Sequence, residues 1–208
     1  MNSKKIWIIT IVCLVLLAMY EALFPLPPQT ILIRYFALAG FFLLSLCLLI
    51  GPMVVCFKNK CGPLIKHRKR IGELSFIFVL IHFVLVFVYS YDLNITYVFS
   101  DLQLVLALVA LMILFLLTIT SANKMIQKMG FSRWKLLQRF VYVAFAFSFI
   151  HFLLDTNGLF VPFSGGRTFV NLAEVLLISL GVVTIIFQYT GFILKTASKK
   201  KETEVKKM

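Results

Sequence analysis

The sequence predicts an all-α membrane protein, a bundle of six transmembrane helices with both termini in the cytoplasm. Of its 208 residues, 61% are hydrophobic and only 14% are charged, whereas a soluble domain is about half apolar and about a quarter charged. Six apolar segments each approach or exceed the roughly 20 residues that a helix needs to cross the bilayer core. We therefore exclude an ordinary soluble protein, and at this length we expect no separate soluble catalytic domain.

The six segments alternate with short polar loops. In chain order they are residues 6–24, 32–57, 71–91, 102–121, 136–154 and 169–194. The first follows Lys4 and Lys5, as the apolar core of a signal peptide would, but no convincing small-x-small cleavage site precedes Pro25. We therefore expect an uncleaved first helix, which ends at the stiff turn Pro25-Leu26-Pro27-Pro28.

The loops between these segments alternate strongly in charge. Lysines and arginines fill the N-terminus, the loops 58–70 and 122–135 and the tail after 195, whereas the loops 25–31, 92–101 and 155–168 together contain only Arg167. The positive-inside rule predicts that the basic loops and both termini are cytoplasmic. The net charge of +13 therefore reflects topology and attraction to anionic lipid rather than nucleic acid.

Two domains of unequal size follow from this pattern. We expect residues 1–195 to form one integral cell-membrane domain. Residues 196–208 are mostly charged and are expected to be a disordered cytoplasmic tail near the lipid surface.

Two of the apolar segments carry almost the same sequence around a histidine. Residues 70–85 and 139–154 match without a gap at Arg70/Arg139, Phe76/Phe145, Phe78/Phe147, Ile81/Ile150, His82/His151, Phe83/Phe152 and Leu85/Leu154. Each histidine follows its arginine by twelve residues, which is about 18 Å of helix. Because both segments run in the same direction, His82 and His151 are predicted to lie at the same depth, where ionisable side chains are costly and mark a functional site.

This pair of histidines predicts a haem. Two neutral imidazoles from facing helices can ligate the iron of haem b in an apolar slot. Phenylalanines would form the walls: Phe76, Phe78, Phe83, Phe145, Phe147, Phe149 and Phe152. The alternatives are histidines that only hydrogen-bond across helices in an assembly subunit, and a transporter in which they relay protons, which would need more intramembrane carboxylates.

Other polar residues near the membrane are weaker candidates. Arg34 begins the second segment on the outer side and Arg167 lies in an outer loop. Either could contact haem propionates or simply snorkel to the interface. Glu174, near the outer end of the last segment, is a candidate for a role with a proton or an acceptor. Cys56 and Cys61, even with His67, supply too few ligands for a metal site.

Three groups of residues carry a family resemblance. They are Gly62-Pro63-Leu64 with Arg68-Lys69-Arg70-Ile71-Gly72 and Leu80-Ile81-His82; Thr118-Ile119-Thr120-Ser121; and Trp134-Lys135-Leu136-Leu137-Gln138-Arg139-Phe140-Val141-Tyr142 ending in His151-Phe152. In this order, over about 60–155, they resemble the ferric reductase-like transmembrane domain family. Within it, the nearest likeness is to the haem-binding membrane subunit of the periplasmic methionine sulfoxide reductase system.

The resemblance implies a haem count. In that family the third and fifth helices hold stacked b haems, and His82 and His151 match the ligands of the outer haem. The family's inner ligand on the fifth helix lies thirteen residues earlier, where this chain has Gln138. The region before the third helix offers only His67 and Arg68. One haem is therefore expected, and a second held by His67 or other groups is the alternative.

The expected function is transmembrane electron transfer by a haem-containing oxidoreductase subunit. No fused flavin or nicotinamide domain is evident, so a membrane quinol, a flavin or a partner reductase on the basic inner loops would supply electrons. The acceptor would be outside: ferric iron, oxygen, a quinone or an extracytoplasmic redox protein. The nearest likeness implies methionine sulfoxide repair by a molybdenum partner.

Overall fold

The computed structural model describes residues 3–57, 61–155, 160–163 and 167–205. The described helices are α1 (Ser3–Glu21), α2 (Pro28–Cys56), α3 (Ile65–Tyr89), α4 (Thr96–Ser100), α5 (Leu102–Thr120), α6 (Asn123–Met129), α7 (Phe131–Leu137), α8 (Val141–Leu154) and α9 (Leu172–Val205). Short 3-10 turns, Gly62–Leu64 and Gln138–Phe140, lead into α3 and α8. The strands β1 (Phe160–Phe163) and β2 (Arg167–Val170) pair antiparallel.

Five helical stretches within the described residues are long and apolar enough to cross a membrane. They are Pro28–Cys56, Gly62–Tyr89, Leu102–Thr120, Phe131–Leu154 and Leu172–Ser198. They coincide with the second to sixth predicted segments, so the protein is a multi-pass membrane protein. The first predicted segment coincides with α1, a helix of 19 residues that is not among the five. The count of six spans and the cytoplasmic position of the termini stay predictions.

The segment between α8 and α9, which the charge pattern predicts to lie outside, contains two short strands. A short hairpin of β1 and β2 occupies part of it, and α9 begins only at Leu172. Asn171 accounts for this start, because its side-chain Oδ1 accepts a hydrogen bond from the backbone N–H of Ala173. An asparagine at this position satisfies a backbone donor that the helix itself leaves unpaired.

The expectation of a disordered tail is wrong over the residues that the structure describes. The last helix continues without a break to Val205, ten residues beyond the predicted domain boundary. Lysine and glutamate, which dominate 199–204, are good helix formers. A charged composition therefore did not stop a helix that the apolar span had already nucleated.

α2 is the central helix of the bundle. Its apolar window is 67% buried inside the protein, whereas the other four spans are 17–22% buried. It packs along α3 and α9, and α5 packs along α8. The faces of the other helices carry exposed large apolar side chains such as Ile11, Val84, Leu116 and Ile186. These outward faces contact lipid, as expected for spans of a membrane protein.

Small residues set the close approach of α2 and α3. A Cβ added at Gly40 would lie 2.8 Å from Cγ2 of Val79. The hydroxyl of Ser75 donates a hydrogen bond of 2.9 Å to the Gly40 carbonyl. Glycine and serine at such a contact let two membrane helices approach closely, and the hydrogen bond links them.

A proline inside α2 is compensated by α9. Pro52 lacks the N–H that would bond the carbonyl of Leu48 one turn earlier. The side-chain Nε2 of Gln188 donates to that carbonyl at 2.5 Å. Gly191 leaves room for the proline ring, since a Cβ there would lie 3.1 Å from Cβ of Pro52. The helix therefore keeps its backbone acceptor paired at the point where proline interrupts it.

Candidate functional site

The two predicted ligand histidines lie on one cavity. His82 of α3 and His151 of α8 both line a space of about 390 Å³ that α2 and α5 complete. This volume falls within the range of protein sites for small molecules and cofactors. The structure therefore brings together the two residues that the sequence repeat singled out.

Each imidazole is oriented by a backbone carbonyl. Nδ1 of His82 lies 3.0 Å from the oxygen of Ile33, and Nδ1 of His151 lies 3.1 Å from the oxygen of Gln103. A carbonyl only accepts, so in the neutral ring Nδ1 carries the proton and Nε2 keeps its lone pair. Metal-ligating histidines commonly show this arrangement, in which the second ring nitrogen is held by a carbonyl or carboxylate.

The two orienting carbonyls come from corresponding places in the fold. Ile33 lies near the beginning of α2, which precedes α3, and Gln103 lies at the beginning of α5, the long helix before α8. The contacts join residues 49 and 48 positions apart in sequence. Neither carbonyl could be predicted from the sequence, because every residue has one and no side-chain pattern marks these two.

The cavity wall is mostly apolar, but only part of it was predicted. Among the described lining residues, Phe83 and Phe152 belong to the expected phenylalanine set. Phe41 of α2 was missed; it lines the cavity, and its ring stacks on that of Phe152 with centroids 5.1 Å apart. The expected Phe145 and Phe149 instead pack behind Phe41 in the core. Helix packing, rather than the repeat, selects the rings that face the cavity.

One end of the cavity is polar and contains a buried ion-pair set. Nε of Arg34 lies 2.9 Å from a carboxylate oxygen of Glu21, and its NH2 lies 3.2 Å from Glu174. The amide of Asn171 donates to both carboxylates at 3.4 Å. Arg34 and Glu174 line the cavity, as does Asp155. Glu21 and Asn171 were not predicted as site residues. Glu21 could have been, because a carboxylate inside an apolar segment indicates a functional position.

Of the two arginines suggested as contacts for haem propionates, one lines the cavity and the side chain of the other is not described. Arg34 reaches the cavity, but its guanidinium binds Glu21 and Glu174. Arg167 is placed in β2 by its backbone, and its side chain lies outside the described residues. Contact of either arginine with a propionate stays a prediction.

The candidate inner-site residues are not part of this cavity. None of His67, Arg68 and Gln138 is among its described lining residues. Nε1 of Trp7 donates to Nδ1 of His67 at 3.0 Å, which places the proton of a neutral His67 on Nε2, the reverse of His82 and His151. Gln138 donates its side-chain amide to the carbonyl of Leu117. The side chains of His67 and Gln138 thus form hydrogen bonds with two different helices, α1 and α5.

The donor set fits a haem better than a bare metal ion. Within the described part of the chain, no group of three or more histidine, cysteine, aspartate or glutamate residues could hold a metal ion, and a typical zinc site takes at least three protein ligands. Two imidazoles are a complete protein set for a bis-histidine haem, whose porphyrin supplies the other nitrogens. His82 and His151 would hold it, against an apolar wall with a polar end.

Comparison with protein families identifies a match over the central part of the chain. The model described as the ferric reductase like transmembrane component matches residues 36–150, more than half of the chain. The matched region contains His82 and ends one residue before His151. A search of curated proteins finds no match.

Proposed function

The chain belongs to the ferric reductase-like transmembrane family, and from this premise we propose that it is an electron-transfer protein that holds one b haem between His82 and His151. Family membership and the apolar helices support a redox role in a membrane. The haem, its ligands and the direction of electron flow are parts of the proposal.

One observation carries the proposal. His82 and His151, which occupy matching positions in the sequence repeat, line the same apolar cavity and have the same tautomer. Two histidines used only for packing would not need to keep the same ring nitrogen, Nε2, unprotonated beside one cavity. The reverse tautomer of His67, which packs against Trp7, provides the internal contrast.

Different residues of the chain would have different roles in such a haem site. A bound haem would supply a one-electron carrier. His82 and His151 would ligate it, and the carbonyls of Ile33 and Gln103 hold their rings and set their tautomers. Apolar side chains such as Phe83, which line the cavity, would exclude water from the bound group and so influence its potential.

The proposal includes one haem, with a donor and an acceptor on opposite sides. Gln138 and His67, bound by Leu117 and Trp7, support the absence of an inner bis-histidine pair. Electrons would come from a membrane quinol, a flavin or a partner reductase at the basic inner loops. The polar end of the cavity lies where the charge pattern predicts the outside, so an extracytoplasmic redox protein is a suitable acceptor. The resemblance to the haem-binding subunit of the methionine sulfoxide reductase system suggests an acceptor protein that repairs methionine sulfoxide.

A proton-relay transporter is the less favoured alternative. Such a protein needs ionisable groups along a pathway through the membrane. Among the described residues that line the cavity, the acidic ones are Asp155 and Glu174. Both lie at the end that is predicted to face outside, so the rest of the described cavity lining contains no carboxylate.

The direct test is the reduced-minus-oxidised visible spectrum of the purified protein, with haem quantified per chain. We expect sharp b-type bands at about one haem per chain. About two haems per chain would contradict the single-site count and return attention to His67, Arg68 and Gln138. A protein without haem, after expression with adequate haem supply, would overturn the proposal.

A further inference from the structure

The ion-pair set at the polar end of the cavity has more negative than positive charge. Arg34 binds both Glu21 and Glu174, and Asn171 donates to the same two carboxylates. Glu21 and Asn171 are completely buried, and Glu174 is 6% exposed. Among the described side chains, Arg34 is the cation in contact with these carboxylates. With both acids ionised, one negative charge of the set is uncompensated by the described side chains.

A buried charge without a partner is strongly unfavourable. A buried ion-pair network is strongly destabilised when one of its members is left uncompensated. Two groups can remove that cost here: a positive centre in the adjacent cavity, or a proton on one of the two carboxylates. The first depends on the haem site of the proposed function, and the second does not.

Glu174 is the carboxylate placed to carry the proton. Its distance to Arg34 is 3.2 Å, compared with 2.9 Å for Glu21. It lines the cavity together with Asp155, whose negative charge acts on it. Among the described residues, the other charged or titratable groups around it are Glu21 and Arg34, and His82, His151 and Tyr91 line the same cavity. Glu21 is fully buried and is not among the described lining residues.

We propose that Glu174 couples proton binding to electron transfer: it takes up one proton from the outer aqueous side when an electron enters the cavity, and releases it when the electron leaves. This inference rests on the proposed function for its electron. The electron removes one positive charge from beside the carboxylates, and the proton returns one. The Glu174 carboxylate becomes a carboxylic acid, and no other bond is formed or broken.

The first test is the midpoint potential of the haem as a function of pH. In the wild-type protein the potential falls as the pH rises through the range in which Glu174 loses its proton. In Glu174→Gln this fall is absent, because the amide cannot bind the proton. In Glu21→Gln it moves to lower pH, because Arg34 then compensates Glu174 alone. Glu73→Gln, which changes a partly exposed carboxylate paired with Lys69 in another part of the protein, leaves the fall unchanged.

The second test needs no haem. In the double variant His82→Ala/His151→Ala no haem iron lies beside the carboxylates, and Arg34 compensates only one of them, so a proton is expected to neutralise the second. Infrared absorption is then expected to show the carbonyl band of a buried carboxylic acid, shifted in D2O. Adding Glu174→Gln to this variant removes the band, and adding Glu73→Gln does not.

These outcomes separate the two hypotheses. A wild-type potential that is constant from about pH 5 to about pH 9, or a fall that persists in Glu174→Gln, overturns the role of Glu174 while the haem assignment stands. A missing carboxylic acid band in the haem-free variant overturns it as well. A wild-type protein without haem overturns the proposed function, and the infrared band still decides whether Glu174 carries a proton.

Discussion

The side-chain amide of Gln188 donates a hydrogen bond to the backbone carbonyl of Leu48 and so joins α9 to the centre of α2. This carbonyl is the one that Pro52, four residues later, leaves without its helical donor. A buried acceptor without a partner costs about 1–3 kcal/mol. Gln188 is therefore expected to stabilise the protein, because it supplies the hydrogen bond that a proline on another helix cannot supply.

The first prediction is a double-mutant cycle between Gln188 and Pro52. Gln188→Ala should lower the free energy of unfolding in detergent by about 1–3 kcal/mol. In a Pro52→Ala background the loss should be smaller, since an alanine N–H can bond the Leu48 carbonyl. Gln127→Ala, at an exposed position of α6, serves as the control and should change little. Equal losses in both backgrounds would refute the compensation.

The second prediction concerns the contact of α2 with α3. Gly40→Ala places a methyl group 2.8 Å from Cγ2 of Val79, and overpacking of this kind costs about 1–3 kcal/mol. Gly62→Ala is the matched control, because its methyl group would meet no atom within 4 Å. Thermal unfolding in detergent should show a lower midpoint for Gly40→Ala alone. Adding Val79→Ala should recover part of the loss, and no recovery would mean that the clash lies elsewhere.

The third prediction assigns the ligands. His82→Ala or His151→Ala alone should abolish most of the bound haem, because one axial nitrogen is lost in each. His67→Ala should retain it, since His67 pairs with Trp7 outside the cavity. Haem content per chain and the reduced spectrum measure both. Full haem content in the double variant His82→Ala/His151→Ala would rule out this site.

The fourth prediction concerns Arg34. Arg34→Gln leaves Glu21 and Glu174 buried without their cation, which should destabilise the protein by about 3–5 kcal/mol. Adding Glu21→Gln should restore part of this loss, because it removes one of the two stranded charges.

The matched control for Arg34 is a partly exposed ion pair near the beginning of α3. Lys69 and Glu73 lie 3.8 Å apart on the helix surface, and such pairs contribute about 1 kcal/mol or less. Glu73→Gln should therefore have a small effect in the same unfolding measurement. A loss as large as that of Arg34→Gln would show that burial does not distinguish the two ion pairs.

The sequence by itself determined the membrane class, the five confirmed apolar spans and the pair of histidines. These features depend on composition and on spacing along a single helix, both of which are written in consecutive residues. The same local logic failed for the tail: its charges predicted disorder, but α9 continues through most of it. Helix propensity and the preceding span outweighed net charge there.

Only the tertiary structure decided which groups complete the site. Ile33 and Gln103 orient the two imidazoles, Phe41 joins the cavity wall, and Glu21 meets Arg34 and Asn171 at its polar end. The sequence separation between Glu21 and Asn171 is 150 positions. Contacts of this kind arise from the way helices pack against each other, and the period of one segment carries no information about the face of another. The sequence therefore identified the histidines. Helix packing determined their tautomers, the side chains of the cavity wall and the carboxylates at its polar end.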